Sequence, residues 1–368
     1  MYNILIDTEY ILFRGVSSAM PKSRRGDWLS KPRDIEVSLE AVKSSLHFAL
    51  KPFARRAGNI LCVTDCHSWR KRAEYMTGTT AEYKAQRERV FDGDGFAELR
   101  RQVREYLGRF GVGMIACDGA EGDDLLCFLS RLNLRNGKNT LIVSSDHDLF
   151  QLLTRTSNGS VIMTDGAGKV FLPSAEDGQF ELFGEDIFVN EMRGDSALKL
   201  TEVQPLRTLF CKVLHGDVSD NIKSIYVKRV GNRNMTCSEN MSLRILDTYE
   251  AETGERVTME WFDDPGRYFT ERFYALVKSK LKIADGDPAG DALKGNLEHN
   301  CKMIRLSLRM IPIEVSRAMS DAVHEYVKTA KPCKAGMLMD DLTASKSSVS
   351  GIFSGLNTDD DDLSFIKG

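Results

Sequence analysis

Carboxylates in this chain gather where apolar, β-branched runs end. YNILID closes on Asp7, NILCVTD closes on Asp65, and TLIVSS is followed at once by Asp146, His147 and Asp148. The stretch CDGAEGDDLLCFL adds Glu121, Asp123 and Asp124 at the mouth of a helix, directly after another apolar run. Short apolar runs rich in Val and Ile read as strands buried on both faces. In an open α/β sheet the ligand site lies beyond the carboxyl ends of such strands. Carboxylates brought together on one rim repel strongly unless cations neutralise them. Mg²⁺ suits such a rim, since it takes oxygen ligands and is bound by few carboxylates together with substrate phosphate. Two such ions about 4 Å apart clamp both the attacking and the leaving oxygen of a phosphoryl displacement. Metal-assisted phosphodiester hydrolysis is the chemistry these residues suggest.

Each acid also has a plainer role open to it. Asp118 and Glu121 have the spacing of a capping box, Asp124 fits a first-turn acid that complements the helix dipole, and Asp146 and Asp148 fit a turn that caps a helix. That all of them serve only such roles is far less economical than a shared site. His147, between two of them, reads as a turn residue.

The elements that must carry these groups follow in order. After the first strand come a basic, breaker-rich loop (PKSRRGDWLSKP) and an amphipathic helix over residues 35–53, then the strand that ends at Asp65. Residues 68–89 carry Arg70, Lys71, Arg72, Lys84, Arg87 and Arg89, interleaved with Trp69, Tyr75 and Tyr83. Cations contact phosphates and aromatic faces stack on bases, so this mixture suits a single-stranded end; an ordinary solvated helical pair is the plainer reading. Its position directly after Asp65 favours the first. A helix over 96–110, the strand VGMIAC, the Glu121 helix and a hairpin VIMTDGAGKVFL complete a sheet domain that should end near Pro173. Further on, VLHGDVSDNI places Asp217 and Asp220 three residues apart, on one face if helical, with Gly216 freeing the backbone before them.

The chain has 368 residues, 28% charged and 42% hydrophobic, with a formal net charge of -3. That is a globular composition with room for more than one domain, and the acidic centre conceals any local basic surface in the total. The first residues enter a strand with no charged and apolar leader, and no apolar run approaches a membrane span, so a cytoplasmic protein without membrane contact is expected. Eight scattered cysteines form no CxxC pair and read as reduced thiols. Cys62, Cys66 and His67 lie close enough to suggest zinc, but Cys62 sits inside a strand, so packing is the expectation.

GAEGDDLL, SSDHDLFQLL and KVLHGDVSDNI, in that order after strand-terminal Asp7 and Asp65, together resemble the structure-specific 5′ nucleases: flap endonucleases and the 5′ nuclease domains of bacterial polymerases. Within that family the phage replication branch, with its ribonuclease H-type members, is nearest. Trp69 with Arg70 and the string EYKAQR resemble the family's arch motif. The resemblance runs from about Tyr2 to Ile313.

The resemblance implies an α/β fold, a mostly parallel central sheet with helices on both faces (5′ nuclease or PIN-like), a helical arch, and a smaller, mainly α-helical DNA-binding domain. The expected division is 1–173 for the nuclease domain with an arch at about 68–92, 174–333 for the helical domain, and 334–368 for a flexible tail. It implies that Asp7, Asp65, Glu121, Asp123 and Asp146 hold a first Mg²⁺, with Asp124 beside them, and Asp148, Asp217 and Asp220 a second; Mn²⁺ is the expected substitute. Asp123, Lys84 and Arg87 are the implied catalytic groups. Trp69, Arg70, Tyr83, Lys84 and Arg87 are implied to meet the nucleic acid at the arch.

One departure stands out. The text after Asp220, NIKSIYVKRVGNRNM, offers only Gly231 where the family is glycine-rich, so Lys223, Lys228, Arg229 and Arg233 are expected to contact phosphate through side chains. The implied substrates are DNA and RNA–DNA duplexes with 5′ flaps or ends, cut by a monomer. Apolar spots in the tail (Ile352, Phe353, Leu363, Phe365, Ile366) suit docking to a sliding clamp or single-strand-binding protein; a solubilising tail is the plainer reading. A primase-topoisomerase-type metal domain using Glu121, Asp146 and Asp148, or a non-catalytic DNA-junction binder, are the alternatives. Both leave several of these acids without a task.

Overall fold

A computed structural model describes residues 1–24, 26–72, 83–84, 91–167, 169–173, 187–191, 199–230 and 233–353. Its centre is a nine-stranded sheet in the order β3-β2-β1-β4-β6-β7-β8-β9, with β5 paired to β6. The strands are β1 (Tyr2–Asp7), β2 (Ala57–Val63), β3 (Gly113–Ile115), β4 (Asn139–Val143), β5 (Thr154–Thr156), β6 (Gly159–Thr164), β7 (Lys169–Pro173), β8 (Ile187–Glu191) and β9 (Lys199–Val203). From β3 to β6 every pairing along that order is parallel; β5 and the strands after β6 pair antiparallel.

The central strands alternate between two cores, as a period of two requires. Ile4, Ile6, Ile60, Cys62, Leu141 and Val143 face one cluster, whereas Leu5, Leu61, Val63 and Ile142 face the other. The first is closed by α1 (Thr8–Ala19), α2 (Pro32–Leu50) and α3 (Gly93–Gly108), the second by α4 (Gly122–Arg135). Helices thus cover both faces, as the buried apolar strands require.

A third core lies outside the sheet. It is built from α5 (Pro205–His215), α6 (Glu239–Thr253), α7 (Met259–Asp263), α8 (Pro265–Tyr268), α9 (Glu271–Leu281), α10 (Pro288–Asp291) and α11 (Leu293–Ile304). Phe210 meets Phe262 and Phe273 edge to face there, as Phe262 meets Phe269, and Phe269 lies tilted against Phe273. In place of further helix after Asp220, β10 (Val227–Val230) and β11 (Arg233–Thr236) pair antiparallel.

Two domain limits differ from those expected. The sheet continues beyond Pro173 through β8 and β9, since β7 leaves an edge that an antiparallel strand can extend. The chain also returns to the sheet at its end. In α12 (Ile313–Thr329), Val315, Met319 and Val323 pack into the second cluster. In α13 (Ala335–Phe353), Leu338, Met339 and Leu342 pack into the first, and Tyr106 donates to Asp341 at 2.8 Å. The residues after 334, expected to be a loose tail, therefore begin as a core helix. Their Lys and Ser content conceals three apolar positions at helical spacing. Residues 354–368 lie outside the described residues.

A chain ended after Lys334 should lose on the order of ~5 kcal/mol of stability, the sum for three buried apolar side chains, whereas one ended after Ala344 should unfold like the full chain. Urea denaturation of the two truncations measures this, and equal midpoints would refute the helix docking.

Candidate metal centre

Parallel register delivers the first acids. Asp7 pairs with Val63 of β2, and its neighbour Ile6 pairs with Val143 of β4, so Asp7, Asp65 and Asp146 leave the same end of three adjacent strands. Each is anchored by a backbone amide. Asp7 accepts from the Tyr10 amide at 3.1 Å as the cap of α1, Asp65 from the Gly122 amide at 2.6 Å, and Asp146 from the Asp148 amide at 2.8 Å. Ser144 ties two of them together, donating its hydroxyl to Asp7 at 2.8 Å and accepting from the Asp146 amide at 3.1 Å. Capping and clustering are thus both true of these acids: the cap fixes the side chain on the rim.

The electrostatics show how closely they crowd. Burial pushes the Asp7 carboxyl up to about 7, and Asp65 and Asp146 add to the rise against the Tyr10 amide and the Ser144 hydroxyl. Burial, then Asp146, Asp7 and Asp65, raise Asp123 well above the ordinary carboxylate range. These groups resist ionising together.

The start of α4 is organised differently. Glu121, not Asp118, is its cap, and with Asp124 it forms the capping box. Arg70, only 1% exposed, donates to both Asp124 oxygens at 2.9 Å, to Glu121 at 3.0 Å, and to the Met303 carbonyl at 3.0 Å. The Trp69 indole N–H donates to Asp124 at 3.1 Å, and the guanidinium lies 4.5 Å from the Trp69 ring centre. Three expectations are corrected here. Trp69 and Arg70 do not face a nucleic acid; they are sealed in the core by their ties to Asp124. Asp124, itself fully buried, spends both oxygens on Arg70 and so is a counter-ion, not an open metal ligand. Despite burial, Arg70 and Lys84 hold Glu121 down to about 2.

The second group of acids carries its own cations. From α5, Lys212 donates to Asp148 at 2.6 Å and to Asp217 at 2.7 Å. Burial pushes Asp148 up to about 6 against the pull of Lys212. Asp217 is held below its ordinary value, where Lys212 and Ser219 outweigh burial. Asp217 and Asp220 lie on a tight turn, not a helix: Asp217 and Ile222 exchange backbone bonds at 2.9 and 2.8 Å, and Ser219 donates to the Asp217 carboxylate. Gly216 makes this possible, with φ of +93° and the Ile222 carbonyl 2.4 Å from where a Cβ would stand.

Tyr83 and Lys84 sit over the gap between the groups. Tyr83 is buried and donates to Glu121 at 3.0 Å and Asp220 at 3.3 Å. Lys84, at φ of +55°, reaches Glu121 at 2.5 Å and Asp220 at 3.8 Å, while its amide donates to the Asp220 carbonyl. One small cleft is lined by Arg70, Tyr83, Lys84, Glu121, Asp123, Asp148, Asp217 and Asp220, among others. Acids from both groups therefore meet in one place. The donors are hard carboxylate oxygens, the set Mg²⁺ or Mn²⁺ takes, and the raised carboxyls of Asp7 and Asp123 mark where positive charge is wanted.

Of the remaining candidates, Arg87 lies outside the described residues, as do residues 73–82 and 85–90 of the expected arch. Lys223 is exposed beside the Asp217 turn, Lys228 and Arg229 are exposed on β10, and Arg233 opens β11. Lys228 pairs with Asp287 at 2.7 Å. Sequence reasoning missed Lys212 and Ser144. A basic residue in the last turn of a helix reads as a partner of its dipole, and nothing local marks it as the bridge between two distant acids.

Residues 3–178 match the family model described as 5′-3′ exonuclease, N-terminal resolvase-like domain. DNA polymerase I chains from two Streptococcus pneumoniae strains are 27% identical over 215 residues, 58% of this chain and 22% of theirs. The chain thus spans about a fifth of the length of the curated relatives it matches. Among solved structures, the bacteriophage T5 5′-exonuclease with bound zinc aligns with a TM-score of 0.49 at 14% identity, over 88% of this chain and 99% of that one. The bacteriophage T5 flap endonuclease with DNA and metal ions gives 0.43 at 14% over 94% and 100%. The catalytic core of Rad2 with DNA gives 0.35 at 14% over 93% and 92%.

Two outcomes follow from the electrostatics. Arg70→Met leaves Asp124 buried without its partner and should cost about 3–5 kcal/mol; a urea midpoint within error of wild type would refute the pairing. In chelator, the folded state keeps protons on Asp7 and Asp148 that the unfolded chain has released above about pH 4. Stability from these groups therefore falls as pH rises toward about 7 and about 6. Added Mg²⁺ should raise Tm more at about pH 8 than at about pH 5.5, and thermal melts showing the reverse order would refute it.

Proposed function

We propose that this chain is a divalent-cation-dependent 5′ nuclease that hydrolyses phosphodiesters near 5′ ends, a reading supported by the match of residues 3–178 to the 5′-3′ exonuclease N-terminal domain model. The substrates we assign are DNA and RNA–DNA duplexes with 5′ flaps or ends, and we assign the chain to the phage replication branch on the strings SSDHDLFQLL and VLHGDVSDNI. The observation that carries the reading is the convergence of Asp7, Asp65, Asp123 and Asp146 beyond the carboxyl ends of β1, β2 and β4, where burial and mutual repulsion raise Asp7 and Asp123. A fold needing only Glu121, Asp146 and Asp148 would have no reason to hold Asp7 and Asp65 there.

In this reading Asp7, Asp65, Asp123 and Asp146 hold one cation, with Glu121 beside them, and Asp148, Asp217 and Asp220 hold a second. Bound Mg²⁺ or Mn²⁺ supplies an activated water and neutralises charge on the phosphate. Hydrolysis would add one water across the bond between phosphorus and the 3′ oxygen, its OH going to the 5′-phosphate and its other proton to the 3′-hydroxyl. Lys84, lifted from Glu121 by a phosphate, stabilises the charge that builds there. Lys212 bridges Asp148 and Asp217 and helps hold Asp217 ionised. The helical region beyond α5 takes the duplex, with Lys223, Lys228, Arg229 and Arg233 on its phosphates.

Asp123→Asn should lower cleavage of a 5′-flap duplex in Mg²⁺ by roughly a hundredfold or more, the loss of several kcal/mol of charge stabilisation, with flap binding retained. Wild-type turnover in that variant, or equal cutting of a 3′-flap control by the wild type, would overturn the assignment. Running the assay with RNA and DNA 5′ ends reads the strand preference directly.

A further inference from the structure

Among the described residues, one set of metal-ligating side chains stands together outside the acid cleft. The ligand atoms of Cys66, His67 and Asp118 all lie within 4.8 Å of one another. The His67 Nδ1 is 3.4 Å from an Asp118 oxygen, and the Cys66 Sγ is 3.8 Å from the same oxygen. Sequence proximity had suggested Cys62 as the third ligand, but that thiol is buried in β2 and burial pushes it up to about 12. Asp118, remote in sequence, takes its place.

We propose that Cys66, His67 and Asp118 form a binding site for a zinc-class divalent ion, separate from the carboxylate cleft. The donor set decides the class. A thiolate, an imidazole and a carboxylate suit Zn²⁺ or Co²⁺, whereas Mg²⁺ takes oxygen and shuns sulfur. Metal–ligand bonds of about 2.3 Å to sulfur and about 2.0 Å to nitrogen and oxygen, in a tetrahedron, set ligand atoms roughly 3.3–3.6 Å apart. The observed spacings need only a small inward movement.

The backbone beneath the site is already clamped. Residues 64–69 follow β2 and residues 115–120 follow β3, and the two segments are joined by Thr64 N–H to the Ile115 carbonyl at 2.9 Å, Trp69 N–H to the Gly119 carbonyl at 2.8 Å, and a bridge between Ser68 and Gly119. The ligands therefore sit on a fixed base, and binding orders only three side chains. His67 and Asp118 are exposed, so an ion enters freely and a solvent or substrate ligand completes its shell, the pattern of an open site. The site also touches the acid rim through the chain itself. Cys66 follows Asp65, whose carboxylate accepts from Gly122, and Asp118 precedes Glu121 on the loop into α4. An ion held here tightens both loops.

Co²⁺ titration of the full, reduced chain tests the site by absorption. The wild type should bind one equivalent with a near-ultraviolet thiolate-to-cobalt band, which the oxygen donors of the acid cleft cannot give. Cys66→Ser should lose the band while melting like the wild type, and His67→Ala and Asp118→Ala should each weaken Co²⁺ binding by about tenfold or more. Stoichiometric Zn²⁺ should bleach the band, and a large excess of Mg²⁺ should leave it. An absent band in the wild type, a band that survives Cys66→Ser, or bleaching by Mg²⁺ would each overturn the proposal. Because the band reports the thiolate, Asp146→Asn should retain it, so the outcome is independent of whether the cleft cuts nucleic acid.

Discussion

The guanidinium of Arg70 is the group on which the rest of the centre depends. It leaves the segment after β2, crosses to both oxygens of Asp124 and one of Glu121 at the start of α4, and reaches the Met303 carbonyl at the end of α11. Three parts of the chain far apart in sequence are thereby fixed to one planar, five-donor group. A buried cation needs its partners as much as they need it. Asp124 is consequently withdrawn from the metal rim, while Glu121 is held ionised at its edge.

Around that fixed point individual acids are balanced in opposite ways, and the raised ones include Asp148 of the second group. Asp7 and Asp123 face other carboxylates and are driven toward their neutral forms, with burial the larger cause. Asp217 and Glu121 have cationic partners that outweigh burial and remain ionised. In the proposed metal centre a divalent ion would relieve the repulsion among Asp7, Asp65, Asp123 and Asp146. The second group already holds a lysine between Asp148 and Asp217, so a cation or a phosphate there competes with Lys212. Lys84 stands in the same relation to Glu121 and Asp220. Two lysines thus hold the acidic cleft together by internal ion pairs.

The sheet architecture explains how so much negative charge is tolerated. One oxygen each of Asp7, Asp65 and Asp146 accepts a backbone N–H where a strand gives way to a helix or a helical turn. Those amides are donors that the start of a helix leaves unsatisfied. The second oxygen of Asp7 accepts in turn from the Ser144 hydroxyl. Capping and clustering, which compete as explanations of a lone Asp, coincide in the folded protein.

The acids themselves were legible in the sequence, because an apolar run ending in aspartate states both the strand and the side of the sheet on which its ligand lies. So were the alternating helices and strands, the φ-permissive Gly216 and the hairpin before Pro173. Other features depend on contacts between distant segments. Arg70 read as a phosphate contact because its neighbours in sequence are basic and exposed; only packing shows that Asp124, more than fifty residues on, neutralises it in the core. Lys212, Ser144 and the pairing of Cys66 with Asp118 carry no local signal at all. The return of α12 and α13 to the sheet was hidden for a similar reason: their apolar residues are sparse, and only the surfaces they cover reveal that three or four per helix suffice. Periodicity and residue type are local properties that a chain displays by itself, whereas the partner of a buried charge is settled by the tertiary fold.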